Sequence, residues 1–111
     1  MIVLRRALEL PIEKWVVDEA AKRGVQSLKL GHRYDTGWPD RIFWIPGGRP
    51  LMIEFKRPGE FLEPKQEYLC GVLRTLGYEV EIHDNRERAL AAIFHALDAA
   101  RRSDKRRKVS P

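Results

Sequence analysis

The chain has one cysteine, Cys70, in 111 residues. A lone thiol closes no internal disulfide and builds no zinc cluster, and a reducing, cytoplasmic setting is expected. No apolar run approaches the roughly 20 residues that a membrane-spanning helix needs. The opening Met-Ile-Val-Leu-Arg-Arg has no cationic stretch ahead of an apolar core, so no signal peptide is expected. There is no repeat, no low-complexity linker and no glycine-rich loop opening a helix, which leaves no phosphate cradle of the P-loop kind. The three histidines, His32, His83 and His95, are scattered without metal-ligand spacing.

What is present is an ordinary globular composition, with 43% hydrophobic and 33% charged residues. The formal net charge is +5, unevenly placed: residues 101–111 hold six basic side chains and one acid, and the rest is balanced at fifteen of each. Residues 1–100 therefore read as one neutral domain, and 101–111 as a basic, disordered tail. Such a tail is either simply solvated or an arm that binds phosphates without sequence choice.

Periodicity gives an alternating order of elements. Residues 11–23 read as a helix, with Pro11 at its first position, Ile12, Trp15, Val16 and Ala20 at helical spacing, and Gly24 ending it. Val25–Leu30 reads as a short strand, residues 31–39 as a loop, and Arg41–Ile45 as a strand. A Pro46–Pro50 turn and the returning strand Leu51–Phe55 complete a hairpin. A helix over Pro64–Leu76, a strand over Tyr78–His83 and a last helix capped by Asn85 follow. The apolar face of that helix is Ala89, Leu90, Ile93, Phe94 and Leu97. Helix, three strands, helix, strand, helix implies an α/β fold with a small mixed sheet between helices.

Asp40, Glu54 and Lys56 are charged where a half-buried hairpin should be apolar. Glu54 and Lys56, two apart, share a strand face. Asp40 and Glu54 lie equally far from Gly47 at the turn, so they oppose each other to within about one residue of register. Facing carboxylates repel, and a divalent cation offsets the repulsion; oxygen ligands with room for water suit magnesium or manganese. An adjacent lysine can hold or deprotonate an attacking water, or stabilise charge building on phosphorus. An isolated Glu-x-Lys is more often a plain solvent-facing pair, and only its surroundings make it specific.

Those surroundings are Gly37-Trp38-Pro39-Asp40-Arg41, then Glu54-Phe55-Lys56-Arg57-Pro58-Gly59, then Pro64-Lys65-Gln66, and finally Leu76-Gly77-Tyr78-Glu79-Val80 before the closing helix. This series resembles the PD-(D/E)XK nuclease superfamily, and within it the short stand-alone VRR-NUC branch of phages and bacteria, over about residues 12–97. The resemblance implies a restriction-endonuclease-like core and a magnesium- or manganese-dependent DNA endonuclease. It further implies selectivity for branched DNA such as four-way (Holliday) junctions or flaps, and a homodimer supplying two active sites.

Carried over, Asp40 and Glu54 are metal ligands and Lys56 is the catalytic lysine. Gln66 orients the lysine or contacts phosphate. Glu13 sits near the metal as a direct or water-mediated ligand, with Glu19 the alternative on the same helix. Lys29 stands where the family often has a lysine. Arg33, Arg41, Arg57 and Lys65 flank the site and together would line a backbone-binding groove. Trp38 is larger than expected before Pro-Asp, and packs against substrate or shields the turn. Cys70 reads as a small buried hydrophobe. The competing function is a non-cleaving or partner-dependent nucleic-acid-binding module of the same fold.

Overall fold

A computed structural model describes residues 12–30 and 36–109. The elements in chain order are α1 (Ile12–Ala21), β1 (Gln26–Lys29), β2 (Arg41–Trp44), β3 (Leu51–Phe55), α2 (Pro64–Thr75), β4 (Glu79–His83) and α3 (Arg86–Val109). This is the α/β order that periodicity predicts, with ends moved by at most two residues in every element but the last helix. Arg33, expected beside the site, and with it Tyr34 and the scattered His32, lie outside the described residues.

The four strands form one mixed sheet in the order β1-β2-β3-β4. The β2–β3 hairpin is antiparallel, with Arg41 opposite Ile53 and Phe43 opposite Leu51. Gly47 at its turn has a φ of 72°, a conformation that costs a residue with a Cβ. Strands β3 and β4 run parallel, which needs a crossover, and α2 provides it.

Alternation along the strands divides the core in two. Phe43, Leu51 and Ile53 face one side and pack with Val16 and Ala20 of α1 and with Ala89, Leu90 and Ile93 of α3. Phe55 meets Phe43 edge-on, their ring centroids 6.5 Å apart. Met52 and Val80 face the other side and pack with Cys70 and Leu73 of α2, joined by Ile42, Leu30 and Trp38. The sheet is thus sandwiched by α1 and α3 on one face and α2 on the other. Trp38 is packed against this second cluster, and Cys70 is buried as expected.

The last helix runs further than the sequence suggests. Asn85 caps it, its Oδ1 accepting from the Arg88 backbone N–H at 2.9 Å. It then continues to Val109, so residues 101–109 carry helical backbone where a disordered tail is expected. Good helix formers and the absence of Gly or Pro there favour continuation. No helix among the described residues is long and apolar enough to cross a membrane.

Candidate active site

Asp40, Glu54, Lys56 and Gln66 meet on the α2 side of the sheet. The hairpin register, continued one step past Arg41–Ile53, sets Asp40 opposite Glu54. The Asp40 carboxylate is fixed there because its Oδ2 accepts from the Phe55 backbone N–H at 2.8 Å. Lys56 follows β3, and its backbone N–H donates to the His83 carbonyl at 2.9 Å, extending the parallel pairing by one residue.

Glu54 is the one charged residue fully buried among the described residues, with 2% of its surface exposed. Gln66 Nε2 donates to its Oε2 at 2.8 Å, and Lys56 Nζ lies 3.6 Å from the same oxygen. The other oxygen, Oε1, is buried without a hydrogen-bond partner. Burial foremost, then repulsion from Asp40, raises the Glu54 pKa from 4.5 to about 7 against the pull of Lys56. The patch is therefore short of positive charge: two carboxylates face one ammonium, and a carboxylate oxygen is left unsatisfied.

Gln66 stands in the first turn of α2. Its own Oε1 accepts from the Glu63 backbone N–H at 2.9 Å, half of a capping box that starts the helix at Pro64. That bond orients the amide so that its NH₂ must face Glu54. Gln66 thus holds the carboxylate rather than the lysine. The Glu63-x-x-Gln66 spacing is a sequence-level capping signal, which sequence reasoning passed over. It also passed over the Phe55 backbone amide as the anchor of Asp40; nothing in a side-chain pattern signals that group.

Glu13 is not part of this cluster. Its carboxylate is held by Arg41 Nε at 2.7 Å and Lys29 Nζ at 3.0 Å. The cause is geometric: α1 packs on the face opposite α2, and Arg41 points to that face, out of phase with Asp40. Among the described residues no three His, Cys, Asp or Glu side chains gather as a metal-binding group. Glu19 is paired with Lys22 at 2.6 Å and with Arg23 at 3.6 Å. Arg41, expected in a DNA-binding groove, is occupied by Glu13. Arg57 and Lys65 are exposed on the site side.

The approach to Asp40 is tight. Gly37 has a φ of 96°, and a Cβ placed on it would lie 2.7 Å from Lys65 Cγ and 3.0 Å from Leu69 Cδ1. The Gly37-Trp38-Pro39 segment is thereby laid directly on α2, which brings Asp40 to Glu54.

The chain is similar to a named phage protein. The phage protein "Putative nuclease p44", from Acyrthosiphon pisum secondary endosymbiont phage 1, is 33% identical over 95 residues, covering 86% of this chain and all of the relative. The chain belongs to that phage nuclease family. No family model and no solved structure matches it. A nuclease family implies a nucleic-acid substrate, and the chain's acidic pair beside a lysine is chemistry suited to a phosphodiester.

Proposed function

We propose that this nuclease is a divalent-metal-dependent DNA endonuclease of the PD-(D/E)XK type, in its VRR-NUC branch, with Asp40, Glu54 and Lys56 as its catalytic set. The observation that carries the reading is the buried Glu54 carboxylate, whose Oε1 has no partner although Asp40 stands beside it. Carboxylates so placed fit a hard cation that takes one or two protein oxygens and completes its shell with water and phosphate. Asp40 and Glu54 would hold magnesium or manganese. When bound, the ion supplies Lewis acidity and lowers the pKa of a coordinated water.

The chain's own groups do the rest. The Phe55 backbone N–H fixes Asp40 and the Gln66 amide fixes Glu54, so neither carboxylate must reorganise. Lys56, with 12% of its side chain exposed, keeps its ammonium where it can orient the attacking water and stabilise charge on the phosphate oxygens. Glu13 supports the site indirectly by neutralising Arg41 and Lys29 on the far face. Arg57 and Lys65 bind backbone phosphates. Selectivity for four-way junctions or flaps, and a homodimer presenting two sites in a cytoplasmic setting, complete the proposal on family resemblance.

The test is cleavage of labelled duplex, flap and four-way-junction DNA by the pure protein with magnesium, manganese or chelator, beside Lys56→Ala. Metal-dependent cutting lost in the variant is expected. Binding without cutting under every metal would overturn it in favour of a non-cleaving or partner-dependent module.

A further inference from the structure

Phe61 is the most exposed large hydrophobic residue described, with 89% of its surface open. A domain this small needs its aromatics inside, and Phe43 and Phe55 obey that rule. Phe61 does not, yet its backbone is not a slack loop. On its N-terminal side, Arg57–Glu60 is a closed turn: the Glu60 N–H donates to the Arg57 carbonyl at 3.0 Å, and Glu60 Oε1 accepts from the Arg57 N–H at 2.7 Å. On its C-terminal side, Glu63 and Gln66 form the capping box. Only Leu62 separates Phe61 from that second anchor. The ring is held out by a segment whose ends are Lys56 and Gln66, two members of the candidate site.

The charges around it are sorted. Glu60 and Glu63 are both engaged with backbone amides. The Arg57 guanidinium and the Lys65 ammonium are exposed, and among the described residues neither forms an ion pair or side-chain hydrogen bond. An exposed aromatic four residues from an exposed cation on either side, with Glu60 and Glu63 bonded to backbone amides, is a combination that a single nucleic-acid strand fits: cations track phosphates and a ring takes a base face.

We infer that Phe61 is a stacking platform for an unpaired nucleobase of the bound strand, next to the phosphate that Arg57 and Lys65 engage. The inference rests on the nuclease reading of Asp40, Glu54 and Lys56, and deepens it by naming a substrate-binding residue. Base stacking on an aromatic is sequence-tolerant and needs the base to be out of a duplex, so Phe61 discriminates by strand state and not by sequence.

The experiment measures binding of a short single strand carrying one 2-aminopurine, and of the matching duplex, by the Lys56→Ala protein in magnesium. Phe61→Ala in that background should weaken single-strand binding about 5- to 100-fold and abolish stacking quench of the 2-aminopurine, while duplex binding changes much less. Phe61→Trp should restore both. The ring touches little of the fold, so the alanine variant should melt at the parent temperature, which circular dichroism checks. Equal loss on both DNAs, or none on the single strand, overturns the inference. A lower sedimenting mass in Phe61→Ala with unchanged DNA binding also overturns it, and assigns the ring to contact between copies. Failure of the protein with Phe61 intact to bind either DNA defeats the nuclease reading itself; metal-dependent cleavage that survives in Lys56→Ala, with the Phe61 effect retained, defeats the catalytic assignment alone.

Discussion

Gln66 ties the Glu54 carboxylate to the first turn of α2: its Nε2 donates to Glu54 Oε2 at 2.8 Å while its Oε1 accepts from the Glu63 backbone N–H. An amide is suited to this bridge because it carries a donor and an acceptor on one rigid plane. Gln66→Leu removes the donor and should cost about 1.5–3 kcal/mol above pH 7, where Glu54 is ionised, and less at pH 5. Losing a donor to the ionised form also raises the Glu54 pKa. The pH midpoint of cleavage should therefore move upward in Gln66→Leu. A stability loss without a shift of that midpoint would reduce Gln66 to a helix cap.

Glu54 should also set the pH dependence of stability in chelator. Its pKa is about 7 in the folded chain against an ordinary 4.5. Between those values the folded state keeps a proton that the unfolded state releases, so stability falls as pH rises from 4.5 to about 7, then levels. The loss is roughly 3 kcal/mol. Denaturant unfolding at pH 5 and pH 8 should show it, and Glu54→Gln should flatten that part of the profile. Magnesium should raise the melting temperature more at pH 8 than at pH 5, because it binds the ionised pair. An identical pH slope in Glu54→Gln would remove Glu54 as the cause.

The hairpin and its opposed acids were legible because one register follows from the Pro46–Pro50 turn and the alternation of Phe43, Leu51 and Ile53. The α2 start was legible from Pro64, and Asn85 marked the last helix. The pairing of Glu13 with Arg41 and Lys29 was not legible, because sequence spacing says how far along a helix a residue lies, and not which sheet face the helix covers. The same holds for Arg41: one residue from Asp40, it lies on the other face, where it pairs with Glu13. The sequence alone left Phe61, like Trp38, Phe43 and Trp44, between an interface and the core, since a domain this short needs most of its apolar residues inside. Phe61 stands out because the turn before it and the cap after it fix the backbone in that orientation.

Replacing the catalytic set should separate binding from chemistry. Lys56→Ala should lower cleavage at saturating DNA by about 10²-fold or more, the scale for removing a group that stabilises transition-state charge, with DNA affinity changed only a few-fold. Asp40→Asn and Glu54→Gln should raise the magnesium concentration needed for half-maximal rate as well as lower that rate. Glu13→Gln should leave the magnesium requirement near the parent value, since its carboxylate holds Arg41 and Lys29. A strong magnesium defect in Glu13→Gln would instead make it a ligand.

Gly37→Ala tests whether the close approach of the Gly37-Trp38-Pro39 segment to α2 is what brings Asp40 to Glu54. Two costs arise together. The φ of 96° disfavours any Cβ, by about 1–3 kcal/mol, and the new carbon would meet Lys65 Cγ at 2.7 Å. Lys65→Gly relieves the second cost and not the first, so a double-mutant cycle in denaturant unfolding separates them. If the segment is pushed off α2, Asp40 moves with it, because only Trp38 and Pro39 lie between. Cleavage should then fall by more than the unfolded fraction explains; the Gly37→Ala, Lys65→Gly pair is read by unfolding alone, because Lys65 also binds phosphate in the proposed site. Activity that simply tracks the folded fraction would mean that the Phe55 N–H bond alone keeps Asp40 in place.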